Sequence, residues 1–203
     1  MASDFHTHNT AIGIPALISS PVPLPGKLAS LEIHPWYLPE IFDRKFLPAD
    51  GLLQNFAALG EIGLDKIRGP QTGIQQQYFH SLLALATDCR KPVVIHCVKA
   101  FQELFAALKH FPDVKIMFHG FNSSAEMLDE LWKRNFTVSF SLSATGKPAL
   151  MNKIIRAAGA FGFESDNDPA NDVCEILDRM KNTLNLTDIE RLTDQHFADF
   201  LEI

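Results

Sequence analysis

Four histidines and several acids sit in this chain where they could do chemistry together. His6 and His8 stand two residues apart in Asp4-Phe5-His6-Thr7-His8-Asn9. His96 and His119 each end a mostly apolar run, Pro92 to His96 and Val114 to His119. Carboxylates hold the matching place in Leu59-Gly60-Glu61-Ile62-Gly63 and in Phe161-Gly162-Phe163-Glu164-Ser165-Asp166. Nitrogen and oxygen ligands without thiolate suit Zn²⁺, Mn²⁺, Mg²⁺ or another divalent ion. An isolated His-x-His pair reads equally well as core histidines bonded to backbone. What points to metal is the number of candidates, which exceeds the needs of one tetrahedral ion. Two ions sharing a bridging carboxylate is the simplest arrangement.

Such a set needs a scaffold that brings distant residues to one place. Short apolar runs alternate with amphipathic segments, the pattern of βα units around a parallel sheet. Eight runs read as strands: 3–8, 14–19, 28–34, 57–63, 92–97, 114–118, 136–142 and 160–166. Helices are expected over 75–87, 100–109, 124–134, 148–158 and 172–184, with a last one opened by a Thr187/Glu190 capping box and ending near Phe200. Eight strands with helical returns read as a compact (β/α)₈ TIM barrel. Only residues 9–13 and 20–27 separate the first three strands, too few for helical crossovers, so one or two outer helices near the N-terminus should be missing. Residues i and i+2 of a strand share a face, which turns His6 and His8 into the barrel together. His96, His119, Glu61 and a carboxylate of the Glu164-Ser165-Asp166 segment then lie at the C-terminal mouth, the face where such barrels carry their active sites.

The 203 residues, 46% hydrophobic and 21% charged, read as a single globular domain over 1–203. No apolar stretch is long enough for a membrane span, and a membrane partner is not expected. Three cysteines with no CxxC pair suit a reducing compartment, so a cytoplasmic location is the expectation, with the thiols as small buried hydrophobes. A net charge of −6 argues against a broad phosphate-binding surface, so any nucleic-acid contact must be local. His80, His110 and His196 fall in or beside helices and read as surface residues. Cys97 alternates with His96 and should face the helical shell.

The ordered set FHTH, EIHPWY, LGEIGLD, PVVIHC, FHGF and FESDNDP resembles the TatD family of metal-dependent hydrolases, a branch of the amidohydrolase-type barrels, over nearly the whole chain. That resemblance implies a metal-dependent deoxyribonuclease or phosphodiesterase. It also implies a ligand set of His6, His8, Glu61, His96, His119 and Asp166. One ion would take His6, His8, Glu61 and Asp166, the other Glu61, His96 and His119, with Glu61 bridging. Three positions depart from the family pattern. Val98 replaces a basic residue, with Lys99 adjacent to substitute for it; Glu32 replaces a glycine; and ESD replaces ETD.

The chemistry expected of such a site is attack by a metal-activated water, with Asp166 accepting its proton while remaining a ligand, and Glu61 orienting and bridging. His34, Lys99 and Arg68 are the candidate substrate contacts, His34 being equally readable as an imidazole packed under Pro35 and Trp36. For Asp65 and Arg68 a loop ion pair is the competing reading. Three functions remain open: hydrolysis of a phosphodiester such as DNA, hydrolysis of a small amide, ester or lactone by the same fold, and metal binding without catalysis.

Overall fold

A computed structural model describes residues 2–156, 159–168, 172–184 and 187–203 of the chain. The strands are β1 (Asp4–Thr7), β2 (Ala16–Ser20), β3 (Leu28–Leu31), β4 (Ala58–Asp65), β5 (Val93–Val98), β6 (Ile116–Phe118), β7 (Thr137–Phe140) and β8 (Phe161–Phe163). They are parallel and follow one another in chain order around a closed barrel. The helices are α1 (Thr72–Cys89), α2 (Phe101–Leu108), α3 (Ala125–Trp132), α4 (Leu142–Thr145), α5 (Pro148–Ile155), α6 (Val173–Leu184) and α7 (Ile189–Leu201). As the short connections require, no described helix separates β1 from β2 or β2 from β3, and only three 3₁₀ turns lie between β3 and β4. Among the described residues no helix is long and apolar enough to cross a membrane.

By its contacts the chain divides into two compact units, Met1–Ile18 with Met117–Ile203, and Ser19–Ile116. In the second, β4 and β5 form the longest pairing, Ile62 to Asp65 lying beside Ile95 to Val98. The approach is close: Gly63 has φ +150°, and a Cβ there would fall 2.0 Å from the His96 carbonyl oxygen. Only glycine fits that combination of backbone angle and contact. Helix α1 covers β4 with Tyr78, Phe79, Leu82, Leu83 and Ala86, the three-and-four spacing of an apolar helical face. It starts three residues before the expected Gln75 because that side chain is buried and bonds backward to the loop after β4.

In the first unit Phe5 is fully buried and packs edge-on against Phe197 of α7, the ring centroids 5.2 Å apart. It fills the space that Gly162 of β8 leaves open, where a Cβ would lie 2.1 Å from the ring. Ser124 caps α3, accepting from the Met127 N–H. The expected capping box on α7 is not formed: its N-cap is Asp188, without a side-chain bond. The third strand also stops early, at Leu31 rather than His34. His34 precedes Pro35 at ψ 137° and caps a 3₁₀ turn instead, consistent with the restriction proline places on its predecessor.

Candidate active site

In the first unit the end of β1 is stitched to the residues after β8. The Asp166 N–H donates to the His6 carbonyl at 2.9 Å, and the His8 N–H donates to the Asp166 carbonyl at 3.2 Å. This ladder fixes all three residues. Asp166 carries φ +51° to make the connection, a conformation that Asp and Asn tolerate better than other non-glycine residues. Its Oδ1 lies 3.9 Å from His6 Nε2 and 3.7 Å from His8 Nε2. Beneath it Asp4 accepts from the Ser165 hydroxyl at 2.6 Å and from the Ser165 and His6 N–H groups. Burial pushes the Asp4 carboxyl up to about 6 against those bonds. The Ser165 hydroxyl, at the position where ESD replaces ETD, also lies 2.8 Å from Thr7 Oγ1, so the serine keeps a hydroxyl tie from the β8 end to β1.

His119, just past β6, packs against His6 with the rings tilted and 4.5 Å between centroids. Its Nδ1 lies 3.6 Å from Oε1 of Glu164, a fully buried carboxylate whose other oxygen accepts from the Ser139 hydroxyl of β7. Burial alone would raise the Glu164 pKa. The hydrogen bond and charge of His119, with His6 and Ser139, outweigh it and hold the carboxyl below its ordinary value.

In the second unit Glu61 is buried near the middle of β4, 3.5 Å from His34 Nε2 and 3.3 Å from His96 Nδ1. His34 Nδ1 accepts the Trp36 backbone N–H at 3.2 Å, which leaves the proton on Nε2, the nitrogen facing Glu61. The other nitrogen of His96 lies 3.2 Å from Asp65 Oδ2. Asp65 is not the loop partner of Arg68. It is buried, and its oxygens take the Trp36 indole N–H at 2.5 Å and the Ile67 and Arg68 N–H groups at 2.7 and 3.0 Å. Burial opposes its charge, but these donors and His96 hold it below the usual carboxylate range. The Arg68 guanidinium instead lies 4.5 Å over the Trp36 ring, at the surface. A signal for Asp65 was present in the sequence: four residues after Glu61, it falls on the same strand face.

Both units hold donor sets a divalent ion fits. His6, His8 and Asp166 offer ligand atoms within 4.8 Å of one another, as do His119, Glu164 and Asp166; His34, Glu61 and His96 are as close, but with His34 protonated on Nε2 the ligands there are Glu61 and His96. That span is close to twice a bond of about 2.0–2.2 Å to nitrogen or oxygen. Beside the first set opens a cavity of about 530 Å³ lined by His8, Asn9, Asp166, Asp168 and Asp172 among others, its described charged residues all being acids apart from the histidine.

Lys99 is exposed at the end of β5 with φ +55°. His80 and His110 are exposed as expected. His196 is not a surface residue: it is half-buried, its Nδ1 2.9 Å from the Phe161 carbonyl, and helps dock α7 on β8. The cysteines are all free, but Cys174 is exposed and the other two only half-buried, so none is a core residue. Burial pushes the Cys97 thiol up to about 12. At pH 8 it should therefore be almost wholly protonated, and in timed alkylation of the native protein by iodoacetamide Cys97 should label far more slowly than exposed Cys174. Equal rates at the two positions would contradict this.

Residues 25–160 match the family described as TatD related DNase. Over 94 residues the chain is 37% identical to the 3'-5' RNA nuclease TATDN2 of Homo sapiens, a stretch covering 43% of this chain and 12% of that protein. It is 33% identical over 84 residues to a metal-dependent hydrolase of Methanocaldococcus jannaschii, covering 41% and 32%. The chain thus spans well under half the length of these curated relatives. Among solved structures, a TatD homolog from Escherichia coli, YJJV, superposes at TM-score 0.74 over 100% of this chain and 98% of its own with 16% identity. A TatD-like protein from Archaeoglobus fulgidus gives 0.68 over 100% and 99% with 17% identity. Likenesses at that identity establish the shared fold, and the sequence match over residues 25–160 of 203 carries the assignment: this chain belongs to the TatD related DNase family.

Proposed function

We propose that the chain acts as one barrel domain, a hydrolase that cleaves phosphodiester bonds with a pair of divalent ions. The observation that carries this reading is the ladder that sets His6, His8 and Asp166 around one another at the β1 and β8 ends. The matching group of Glu61 and His96 on β4 and β5 supports it. In this reading His6, His8, Glu61 and Asp166 would hold one ion and Glu61, His96 and His119 the other, with Glu61 shared between them. The ions supply Lewis acidity and bring a water's pKa toward neutrality. The side chains do the rest. Asp166 takes the proton from the attacking water. His34, whose Nε2 proton faces Glu61 in the free protein, is the group that would pass that hydrogen bond to a phosphoryl oxygen of bound substrate. Lys99 and Arg68 contact the flanking phosphate. The nuclease activity named for the human relative and the family's description both favour a nucleic-acid substrate, DNA or RNA. The free cysteines agree with a cytoplasmic location.

The acidic cavity beside His8 favours a second reading, a small uncharged amide, ester or lactone, because carboxylates repel a phosphate backbone wherever the ions do not neutralise them. The experiment that separates the two supplies metal-free protein with Zn²⁺, Mn²⁺ or Mg²⁺ and offers bis(p-nitrophenyl) phosphate, a single-stranded oligonucleotide, and a panel of amides, esters and lactones. Metal-dependent phosphodiester cleavage that a chelator abolishes is expected. Turnover confined to the second group of substrates would replace the first reading by the second, and metal binding without turnover on any substrate would remove both.

A further inference from the structure

His34 and His96 meet edge-on, their ring centroids 4.5 Å apart, and both present a nitrogen to the same Glu61 oxygen. Imidazole chemistry alone does not distinguish them, and either could serve as ligand or as hydrogen-bond donor. The hydrogen bonds behind the rings do distinguish them. A neutral imidazole carries one proton, and the partner on the far nitrogen decides where it sits.

We propose that Asp65 is a positioning residue that fixes His96 in the Nε2–H form, presenting the bare Nδ1 toward Glu61, while the Trp36 backbone N–H fixes His34 in the opposite role. This rests on the proposed metal centre and adds the device that sorts its two neighbouring imidazoles into a ligand and a donor. The argument for Asp65 is one of donors and acceptors. Its Oδ1 is occupied by two backbone N–H groups, those of Ile67 and Arg68, and its Oδ2 by the Trp36 indole N–H. Three donors converge on it, so the group is an acceptor on both oxygens and a His96 nitrogen at 3.2 Å meets it as N–H; Glu61 is also an acceptor, 3.3 Å from Nδ1, but its same oxygen already faces the His34 Nε2–H, which leaves the single proton of a neutral His96 to Asp65. His34 has the reverse arrangement. Its Nδ1 is filled by the Trp36 N–H, so its Nε2 faces Glu61 as N–H and is not free to bind a metal.

One residue, Trp36, therefore acts on both rings, through its backbone on His34 and through its indole and Asp65 on His96. The support is itself fixed. Buried Gln75 accepts the Asp65 N–H at 2.7 Å and lies within bonding distance of the carbonyls of Asp65, Arg68 and Pro70, which fixes the backbone that carries the carboxylate, while the Trp36, Ile67 and Arg68 N–H groups hold the carboxylate itself. A buried carboxylate behind a histidine ligand, orienting the ring and strengthening its basicity, is a recurring way proteins tune metal sites.

The test uses the full chain, metal-free, at a pH where both rings are neutral. Long-range ¹H–¹⁵N NMR on ¹⁵N-histidine protein, assigned with H34Q and H96Q variants, reads which nitrogen carries each proton. The expected result is a bare Nδ1 on both rings, His96 with its proton toward Asp65 and His34 with its proton toward Glu61. Asp65→Asn should then reverse His96 alone. The new amide meets two backbone N–H donors on the Oδ1 side and one, the Trp36 indole, on the Oδ2 side, so its NH₂ takes the Oδ2 side, gives up the indole bond, faces His96 Nε2 and drives the proton to Nδ1. The same variant should bind Zn²⁺ or Mn²⁺ at the weaker of the two sites roughly 10- to 100-fold less tightly by calorimetry. A proton on His96 Nδ1 in the unaltered protein overturns the proposal, whether or not the variant folds. So does an Asp65→Asn protein that keeps both the original proton position and the metal affinity. If the protons sit as stated and metal binds but no phosphodiester is cleaved, the inference stands and the function proposed above falls.

Discussion

Asp166→Asn should lower kcat for hydrolysis of a simple phosphodiester by roughly 10²- to 10⁴-fold, the usual contribution of a positioned acid–base group. The substitution is conservative where the fold is concerned. Asparagine accepts the left-handed backbone at φ +51°, and the bonds that hold the position run through the backbone N–H to His6 and the carbonyl to His8. What changes is the side chain, which no longer takes a proton and binds a cation more weakly. The measurement is steady-state turnover of bis(p-nitrophenyl) phosphate at saturating Mn²⁺, with metal content determined on the same sample. Full turnover with the ions still bound would remove Asp166 from its role as proton acceptor. Loss of the ions along with activity would leave it a ligand only.

Phe5→Ala should cost about 3–5 kcal/mol of stability, the range for deleting a buried aromatic ring whose site does not collapse. Collapse is blocked on two sides. Gly162 has no side chain to move into the space, and a Cβ there would already lie 2.1 Å from the ring. On the other side Phe197 meets Phe5 edge-on and belongs to a helix docked by several buried residues. Phe5 lies between Asp4 and His6 on β1, so the loss reaches the site: loosening β1 from β8 frees the ladder through Asp166. Urea unfolding of the metal-free protein gives the stability, and the midpoint shift should come without a large change in slope. A cost under about 1 kcal/mol would mean that the interior repacks around the gap, contrary to the account given for this pair.

The alternation of strands and helices was readable in the residues because each element announces itself locally. Val93, Val94 and Ile95 form a continuous apolar run, and α1 repeats its buried residues every three or four positions. The missing outer helices followed from counting residues between runs. Reading failed where a boundary depends on a neighbour. The third strand ran on to His34 in the sequence, yet ends at Leu31 because His34 turns to cap the segment opened by Pro35. Thr187 and Glu190 had the spacing of a capping box, but α7 begins after Asp188. His196 read as a surface histidine because nothing in its own helix shows that the Phe161 carbonyl waits beside it, 35 residues away in the chain.

By itself the sequence determined which residues offer chemistry and roughly where along the strands they fall, since period-two spacing and strand-end position are local properties of the chain. His6 with His8, Glu61, His96 and His119 were nameable on that basis, and Asp166 rather than Glu164 through the family resemblance. Which nitrogen each imidazole presents was decided only by the tertiary structure. Asp65 reaches His96 across 31 residues, Trp36 reaches Asp65 across 29, and Ser139 reaches Glu164 across 25. A tautomer depends on the partner behind the ring, and that partner arrives from another strand or turn, so no local pattern encodes it.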